Sequence, residues 1–420
     1  MIMPLFSRVV AHPFTSLALT ACLLAGCTDS HDNGGAMPHN PALEVYNDPG
    51  TEPWQRVPRE RVIEECGLDP DILDTIDTSA SYSYALVRYG KLCHEFNRDD
   101  MPDSNEAVNN FSATKTLAAA LVGRTVLLSE QLPRPLRDTD RMDVWIENIT
   151  FNPDARVAHV LAMLGFNESL AFGQRQWRYD TDGSREINRL SDVLEVVMAQ
   201  DPAQFGGATT TQELAQRELF DRLGMNSSTW TGESFASDWH SNMLDMARLG
   251  VLLVHDGVWD QRRLISKEWV YKMTHPAFED ANTGYGYLTV LAASRNYSRP
   301  RIDNIEVPLG GCQPSSIWRE FPHTLSESTD CNYDGAYSCV QTYDVGVFAA
   351  NGFGGQLIVG HRGLDLVLVT RDAGPSLITF PWDMVRSALI AHDPEYRGDE
   401  EGFCAAYRAG DYAPDLITTP

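Results

Sequence analysis

Positive charge is scarce in this 420-residue chain, and lysine occurs at only four positions. The formal net charge is −25, and no segment carries a basic stripe. A protein that binds a nucleic acid backbone needs a basic face, so partners of this class are excluded. The four lysines are Lys91, Lys115, Lys267 and Lys272. Chemistry that requires an amine therefore has few candidates.

Several catalytic and cofactor-binding motifs are also missing. The sequence has no G-x-S-x-G, no H-E-x-x-H, no phosphate-binding loop and no glycine fingerprint for a dinucleotide after a strand. It has no C-x-x-C pair, and its histidines are scattered. We therefore expect neither a metal ion nor an organic cofactor.

The one long apolar run lies at the N-terminus. Residues 1–26 carry a single cation, Arg8, and an apolar stretch from Phe14 to Ala25. This stretch is shorter than the about 20 residues of a membrane span and is typical of a secretory signal. Leu24-Ala-Gly-Cys27 resembles the bacterial lipobox, which implies acylation of Cys27 and a domain tethered outside the cytoplasm, at the cell envelope. The alternative is a plain signal peptide that contains a cysteine.

Export would place the other cysteines in an oxidising compartment. Without Cys22 and Cys27, six remain, and six cysteines allow up to three disulfides in 15 connectivities. A zinc site is the alternative. We expect Cys66 to pair with Cys93. We expect the other bridges around the 312–339 loop, and the remaining cysteines are Cys312, Cys331, Cys339 and Cys404.

The order of predicted elements indicates an α+β fold. Residues 27–58 are rich in Pro, Gly, Asn and Asp and predict a flexible tether, and residues 59–420 form the predicted domain. Strands are predicted at both ends of this domain, with a mostly helical insert at about 115–298 and a Cys-rich loop at 299–344. Such a chain builds one antiparallel sheet from its two ends, flanked by helices. The predicted elements are helices at 61–76, 112–128 and 381–391, two strands within 82–96 around a turn at Tyr89-Gly-Lys91, and strands at 342–350, 356–359 and 364–370.

Ser112-Ala-Thr-Lys115 opens one of these helices. Residues at i and i+3 lie on one helix face, so the Lys115 amine can approach the Ser112 hydroxyl. A serine needs an adjacent base to become a nucleophile, and a desolvated lysine can be neutral enough to serve. The alternative is a solvated surface lysine with Ser112 as a helix cap.

The surrounding motifs resemble those of one hydrolase superfamily. Phe111-Ser-Ala-Thr-Lys-Thr116 is similar to the nucleophile motif of serine β-lactamases, penicillin-binding proteins and related esterases and amide hydrolases. Over residues 60–395 the chain is closest in character to family VIII carboxylesterases and aminohexanoate-oligomer hydrolases. This resemblance implies a β-lactamase/transpeptidase-like fold and acyl transfer through Ser112. Four further segments match in order: Leu219–Trp230, Asp245–Gly250, Leu264–Trp269 and Gly284–Tyr287.

The resemblance also implies further site residues. Tyr179, in Tyr179-Asp-Thr, corresponds to the tyrosine that relays a proton to the leaving group, although Thr181 stands where relatives carry Asn. Asn351-Gly352 corresponds to the third motif, and the backbone N–H groups of Ser112 and Phe353 would then form the oxyanion hole. The alternatives are a buried structural tyrosine and a glycine-rich hairpin turn.

The third motif lacks the lysine that pairs with a substrate carboxylate in β-lactamases and peptidases. The expected function is therefore a lipid-anchored serine hydrolase of a small or peptide-like ester or amide, with membrane contact through the anchor only. Two alternatives stay open. One is a β-lactamase or D-Ala peptidase acting on cell-wall material, and the other is a catalytically silent envelope binding protein.

Overall fold

A six-stranded antiparallel sheet forms the centre of the fold. The computed structural model describes residues 46–100, 104–149, 152–165, 177–275, 277–278, 281, 285–291, 347–373 and 388. The strands of this sheet are β1 (Ser83–Arg88), β2 (Lys91–Phe96), β7 (Val290–Leu291), β8 (Val347–Gly352), β9 (Gln356–His361) and β10 (Leu366–Arg371). Their order across the sheet is β2-β1-β10-β9-β8-β7.

Helices and two small strand pairs complete the described part of the chain. The pairs are β3 with β4 and β5 with β6. Their bounds are β3 (Val108–Asn109), β4 (His240–Ser241), β5 (Val258–Trp259) and β6 (Arg262–Arg263). The helices are α1 (Val62–Cys66), α2 (Pro70–Ser79), α3 (Thr114–Ser129), α4 (Val157–Leu161), α5 (Thr181–Met198), α6 (Thr211–Ala215), α7 (Asp221–Leu223), α8 (Met243–Val254) and α9 (Lys267–Thr274).

Both faces of the sheet are covered. Along β10, Val367 and Val369 point into the larger apolar core while Leu366 and Leu368 point into the smaller one. This alternation follows from the two-residue period of a strand. On the larger face α8 packs close to the sheet because Gly250 has no side chain: a Cβ there would lie 2.6 Å from Val367 Cγ1.

Helix α3 runs through the larger core. Thirteen of its 16 residues are buried. The segment Phe111–Ser129 is long and apolar enough to span a membrane, but 72% of its 18-residue apolar window is buried inside the molecule. A helix that is apolar on every side and enclosed by protein is a core helix.

The α+β prediction is confirmed, and so are the hairpin of β1 with β2 and the helix after Ser112. The single helix predicted over residues 61–76 is wrong, because residues 67–69 are not helical and separate α1 from α2. Gly67 ends α1 in the left-handed conformation, and the Asp69 side chain caps α2 ahead of Pro70. The predicted final helix lies outside the described residues except for Ala388.

The expected disulfide between Cys66 and Cys93 is present and ties α1 to β2. The other six cysteines of the chain and the predicted signal segment lie outside the described residues.

Part of the predicted tether is fixed in place. Trp54 is 7% exposed and its indole N–H donates to the Leu244 carbonyl. The buried Arg248 guanidinium donates to the carbonyls of Gly50 and Glu52 at 2.7 and 2.5 Å. The flexible tether predicted for residues 27–58 is therefore corrected: from Tyr46 onward this segment packs against the body of the domain.

Removal of residues 46–58 is expected to lower the free energy of unfolding by about 3 kcal/mol or more, because Trp54 leaves a cavity and Arg248 loses two acceptors. Thermal unfolding of a chain that begins at residue 46 and of one that begins at residue 59 measures the effect. Equal melting temperatures would show that the segment does not contribute.

Candidate active site

Ser112 lies in a tight turn between β3 and α3. The turn is a single 3₁₀ segment, Phe111–Ala113, which continues directly into α3. Asn110 anchors it: this residue is fully buried and its amide donates to Ser241 Oγ at 2.6 Å. The Ser112 side chain is therefore presented at the buried start of a rigid helix.

A chain of hydrogen bonds fixes the start of that helix. Thr114 Oγ1 accepts from the backbone N–H of Trp239 at 3.1 Å. The Trp239 indole donates to Ser228 Oγ, which in turn donates to Asp245 on α8 at 3.0 Å. Residues of two of the matched segments, Ser228 and Asp245, thus stabilise the turn at Phe111–Ala113.

Lys115 meets Ser112 as the spacing predicted. Its Nζ lies 2.9 Å from Ser112 Oγ and 3.0 Å from the carbonyl oxygen of Ala236. The lysine is only 3% exposed, so the alternative of a solvated surface lysine is wrong. Asn188 on α5 accepts from the N–H of Phe235 and so holds the segment that carries the Ala236 carbonyl.

Burial changes the proton affinity of this amine. Desolvation lowers the pKa of Lys115 from 10.5 to about 8. A neutral amine has a lone pair that can accept the Ser112 proton across the 2.9 Å contact. Lys115 is thus suited to act as a general base at neutral to mildly alkaline pH.

Tyr179 completes the cluster from another part of the chain. The Lys115 amine lies 4.7 Å from the centre of its ring, and its hydroxyl is near enough to Ser112 for the serine hydroxyl to influence the phenol pKa. The residue is 41% exposed, so it is not a buried structural tyrosine. Desolvation of its hydroxyl raises the pKa of Tyr179, opposed by the Ser112 hydrogen bond. The phenol therefore stays protonated and is suited to donate.

The start of α5 positions Tyr179. Asp180 caps the helix by accepting from the N–H of Gly183 at 2.9 Å, and Arg178 pairs with Asp180 and Asp182. The departure from the family pattern at Thr181 falls on the first residue of α5. The site is therefore bounded here by a capped helix rather than by a free loop.

Aromatic rings form the wall beside Tyr179. The ring centroids of Trp177 and Tyr285 lie 5.3 Å apart, and those of Tyr179 and Tyr285 lie 6.2 Å apart in an edge-to-face arrangement. Tyr285 is buried. The Tyr179 ring shields one side of the Lys115 amine from water, which is consistent with the lowered pKa of that amine.

The last residue of strand β8, Gly352, lies close to the turn that carries Ser112. A Cβ on Gly352 would lie 2.2 Å from the carbonyl oxygen of Asn110, so only glycine allows this approach. Asn351 and Gly352 end β8, and the hairpin turn is Phe353–Gly355. A glycine-rich hairpin turn is therefore present, but it is formed by Phe353–Gly355 and not by Asn351-Gly352, and Phe353 follows directly on the close contact.

Sequence reasoning missed one contact of this site and one buried carboxyl close to the Arg178–Asp182 segment. The Ala236 carbonyl that binds Lys115 is a backbone group 121 residues away, for which no side-chain pattern gives a signal. Glu186 on α5 is buried, and desolvation raises the pKa of its carboxyl to about 8. An acidic residue on the apolar face of a predicted helix was the available signal for it.

Within the described residues, no group of three or more His, Cys, Asp or Glu side chains could hold a metal ion. The chemistry of the cluster is that of a hydroxyl, an amine and a phenol.

The chain is similar to several solved structures, although no family model and no curated protein matches it. A β-lactamase from Mycobacterium bovis is 14% identical with a TM-score of 0.46, and the alignment covers 77% of this chain and 99% of the β-lactamase. A penicillin-binding protein homologue from Caulobacter crescentus is 14% identical with a TM-score of 0.44, covering 81% and 99%. A family VIII carboxylesterase is 13% identical with a TM-score of 0.43, covering 80% and 98%.

The names of these structures agree with the superfamily that the motifs resemble. At such identities and TM-scores the likeness carries no argument about chemistry, and the functional conclusion rests on the geometry around Ser112.

Replacement of Lys115 by Arg is expected to lower kcat by about 100-fold or more, because arginine does not deprotonate in proteins. In the unaltered protein kcat/KM should rise with pH up to about 8 and then level off, since the amine is protonated below its pKa of about 8. Ester hydrolysis followed from pH 6 to 10 measures both effects. Near-normal turnover of Lys115→Arg would contradict the assignment of the base.

Proposed function

We propose that this protein is a serine hydrolase that cleaves an ester or amide through an acyl-enzyme on Ser112. The observation that carries the proposal is the 2.9 Å contact between Ser112 Oγ and the buried Lys115 amine. A hydroxyl beside a desolvated amine is the arrangement that nucleophilic catalysis by serine requires.

Acylation begins when the neutral Lys115 amine accepts the Ser112 proton and Oγ attacks the substrate carbonyl carbon. The carbonyl electrons move to oxygen, and backbone N–H groups at Ser112 and Phe353 are proposed to hold this oxyanion. Collapse of the intermediate breaks the bond to the leaving group. Tyr179 donates its proton to that group, and the proton on Lys115 restores the phenol.

Deacylation repeats these steps with water in place of Ser112. The water proton passes to the same base, hydroxide oxygen bonds to the acyl carbon, and Ser112 leaves with a returned proton. The lowered pKa of Lys115 and the raised pKa of Tyr179 favour this division into base and acid.

The absence of a lysine at the third motif favours an uncharged acyl donor. Arg371 is buried and donates to the carbonyls of Glu106 and Ser241, and Arg362 pairs with Asp256. Both arginines that follow the third motif in the described residues are thus engaged away from a substrate carboxylate. This observation favours an esterase or amidase over a β-lactamase or D-Ala peptidase.

The cellular setting remains part of the proposal. Acylation of Cys27 would hold the enzyme at the bacterial envelope with its domain outside the cytoplasm. A catalytically silent binding protein is disfavoured because the Lys115 amine lies 2.9 Å from Ser112 Oγ and 4.7 Å from the centre of the Tyr179 ring.

Labelling with a fluorophosphonate probe tests the nucleophile directly. We expect peptide mapping to find the probe on Ser112, and labelling to disappear in Ser112→Ala. A panel of short-chain esters, linear amides and a chromogenic β-lactam then ranks the substrates. A correctly folded protein that neither reacts with the probe nor cleaves any of these compounds would contradict a hydrolase.

A matched pair of esters, with and without a carboxylate beside the scissile bond, tests the preferred charge. We expect the neutral ester to have the higher kcat/KM, because the described residues offer no uncommitted cation at the third motif. Asn351→Lys should shift the ratio towards the charged ester by about 5- to 150-fold, the effect of one point charge in a partly desolvated cleft.

Asn351→Met is the matched control, since it adds length without charge. If the carboxylated ester is the better substrate and salt erodes its advantage, the peptidase-like function takes precedence.

A further inference from the structure

Exposed aromatic surface is concentrated at the candidate site. Seven large hydrophobic side chains are exposed in the described part of the chain, and three of them are Phe111, Tyr179 and Phe353. Their exposed fractions are 38%, 41% and 73%. Clustered apolar surface on a soluble domain marks a place where another molecule binds.

The backbone of Phe111 is held in an unfavourable conformation. Its φ is +45°, in the left-handed region that bulky residues rarely adopt. The N–H of Phe111 donates to Asn109 Oδ1 at 2.7 Å, and the buried Asn110 fixes the turn from the other side. Such strain persists only where the surrounding structure enforces it, and it occurs preferentially at functional sites.

This conformation brings Phe111 against Phe353. The two ring centroids lie 5.7 Å apart with an interplanar angle of 74°, an edge-to-face contact. Phe353 is fixed by its backbone, because Gly352 abuts Asn110 and the N–H of Gly355 donates to the Gly352 carbonyl at 3.1 Å. The Phe353 ring is thus held beside the turn that carries Ser112, although most of its surface is exposed to solvent.

We propose that Phe111 and Phe353 form an aromatic clamp that binds an aryl or alkyl substituent of the substrate cleaved at Ser112. The assignment rests on the proposed hydrolase function and deepens it by naming the substrate class. Phe111 directly precedes Ser112 in sequence, and Phe353 directly follows Gly352, the residue of β8 that lies against Asn110. A bound apolar group would cover ring surface that the protein itself leaves in water, which is favourable in proportion to the area buried.

Two series of neutral esters test the clamp: one varies the acyl group from acetyl to phenylacetyl, and the other varies the alcohol from methyl to benzyl. The measured quantity is the ratio of kcat/KM for the largest and smallest member. Phe353→Ser is expected to lower this ratio roughly tenfold in one of the series, whereas Phe353→Leu retains most of it. Phe111→Asn, which suits left-handed backbone, should lower the same ratio.

Val196→Ser is the matched control, because Val196 is an exposed apolar residue near the far end of α5, about 24 Å along the helix from Asp180. The clamp is overturned if Phe353→Ser and Val196→Ser leave the ratio equally unchanged in both series.

A binding measurement separates failure of the clamp from failure of the hydrolase. Calorimetry with N-benzylacetamide compares the Ser112→Ala protein with a protein that also carries Phe353→Ser. Binding that is weakened about tenfold by Phe353→Ser supports the clamp even if no ester is cleaved. Equal binding by the two proteins overturns it even if Ser112 is an active nucleophile.

Discussion

The arrangement of the site depends on keeping water away from one amine. Lys115 lies on a helix that is buried along most of its length, and among the residues that the structure describes its amine has two hydrogen-bond partners, Ser112 Oγ and the Ala236 carbonyl oxygen. A charged ammonium loses its hydration in such a place, and two neutral acceptors compensate incompletely. The amine is therefore biased toward the neutral form that can take up a proton.

The surrounding architecture follows from this requirement. Helix α3 shares its apolar core with the sheet and α8, and the Tyr179 ring, which contacts Trp177 and Tyr285, lies beside the Lys115 amine. At the turn that carries Ser112, Gly352 lets β8 approach Asn110 closely, and Phe111 takes up a strained backbone conformation. The exposed surface next to Ser112 is consequently aromatic, while Lys115 is buried.

Local features of this design were predictable and long-range ones were not. The contact of Ser112 with Lys115 follows from helical spacing, and the β1–β2 hairpin follows from the residues around its turn. The end of α1 at Gly67 and the start of α2 at Pro70 could also have been predicted from these residue types, whereas the spacing of apolar residues alone predicted one continuous helix. The packing of residues 46–58 could not be read from composition, because Arg248 and Trp259 bind its backbone carbonyls rather than its side chains.

The most direct measurement is the titration of the Lys115 amine itself. Since the chain has only four lysines, protein labelled with ¹³C and ¹⁵N at lysine gives four side-chain signals, and the one absent from Lys115→Met is assigned. We predict that this signal titrates with a midpoint near pH 8, as its lowered pKa requires. A midpoint near the ordinary lysine value of about 10.5 would contradict the account, because the amine would then be solvated and unable to activate Ser112.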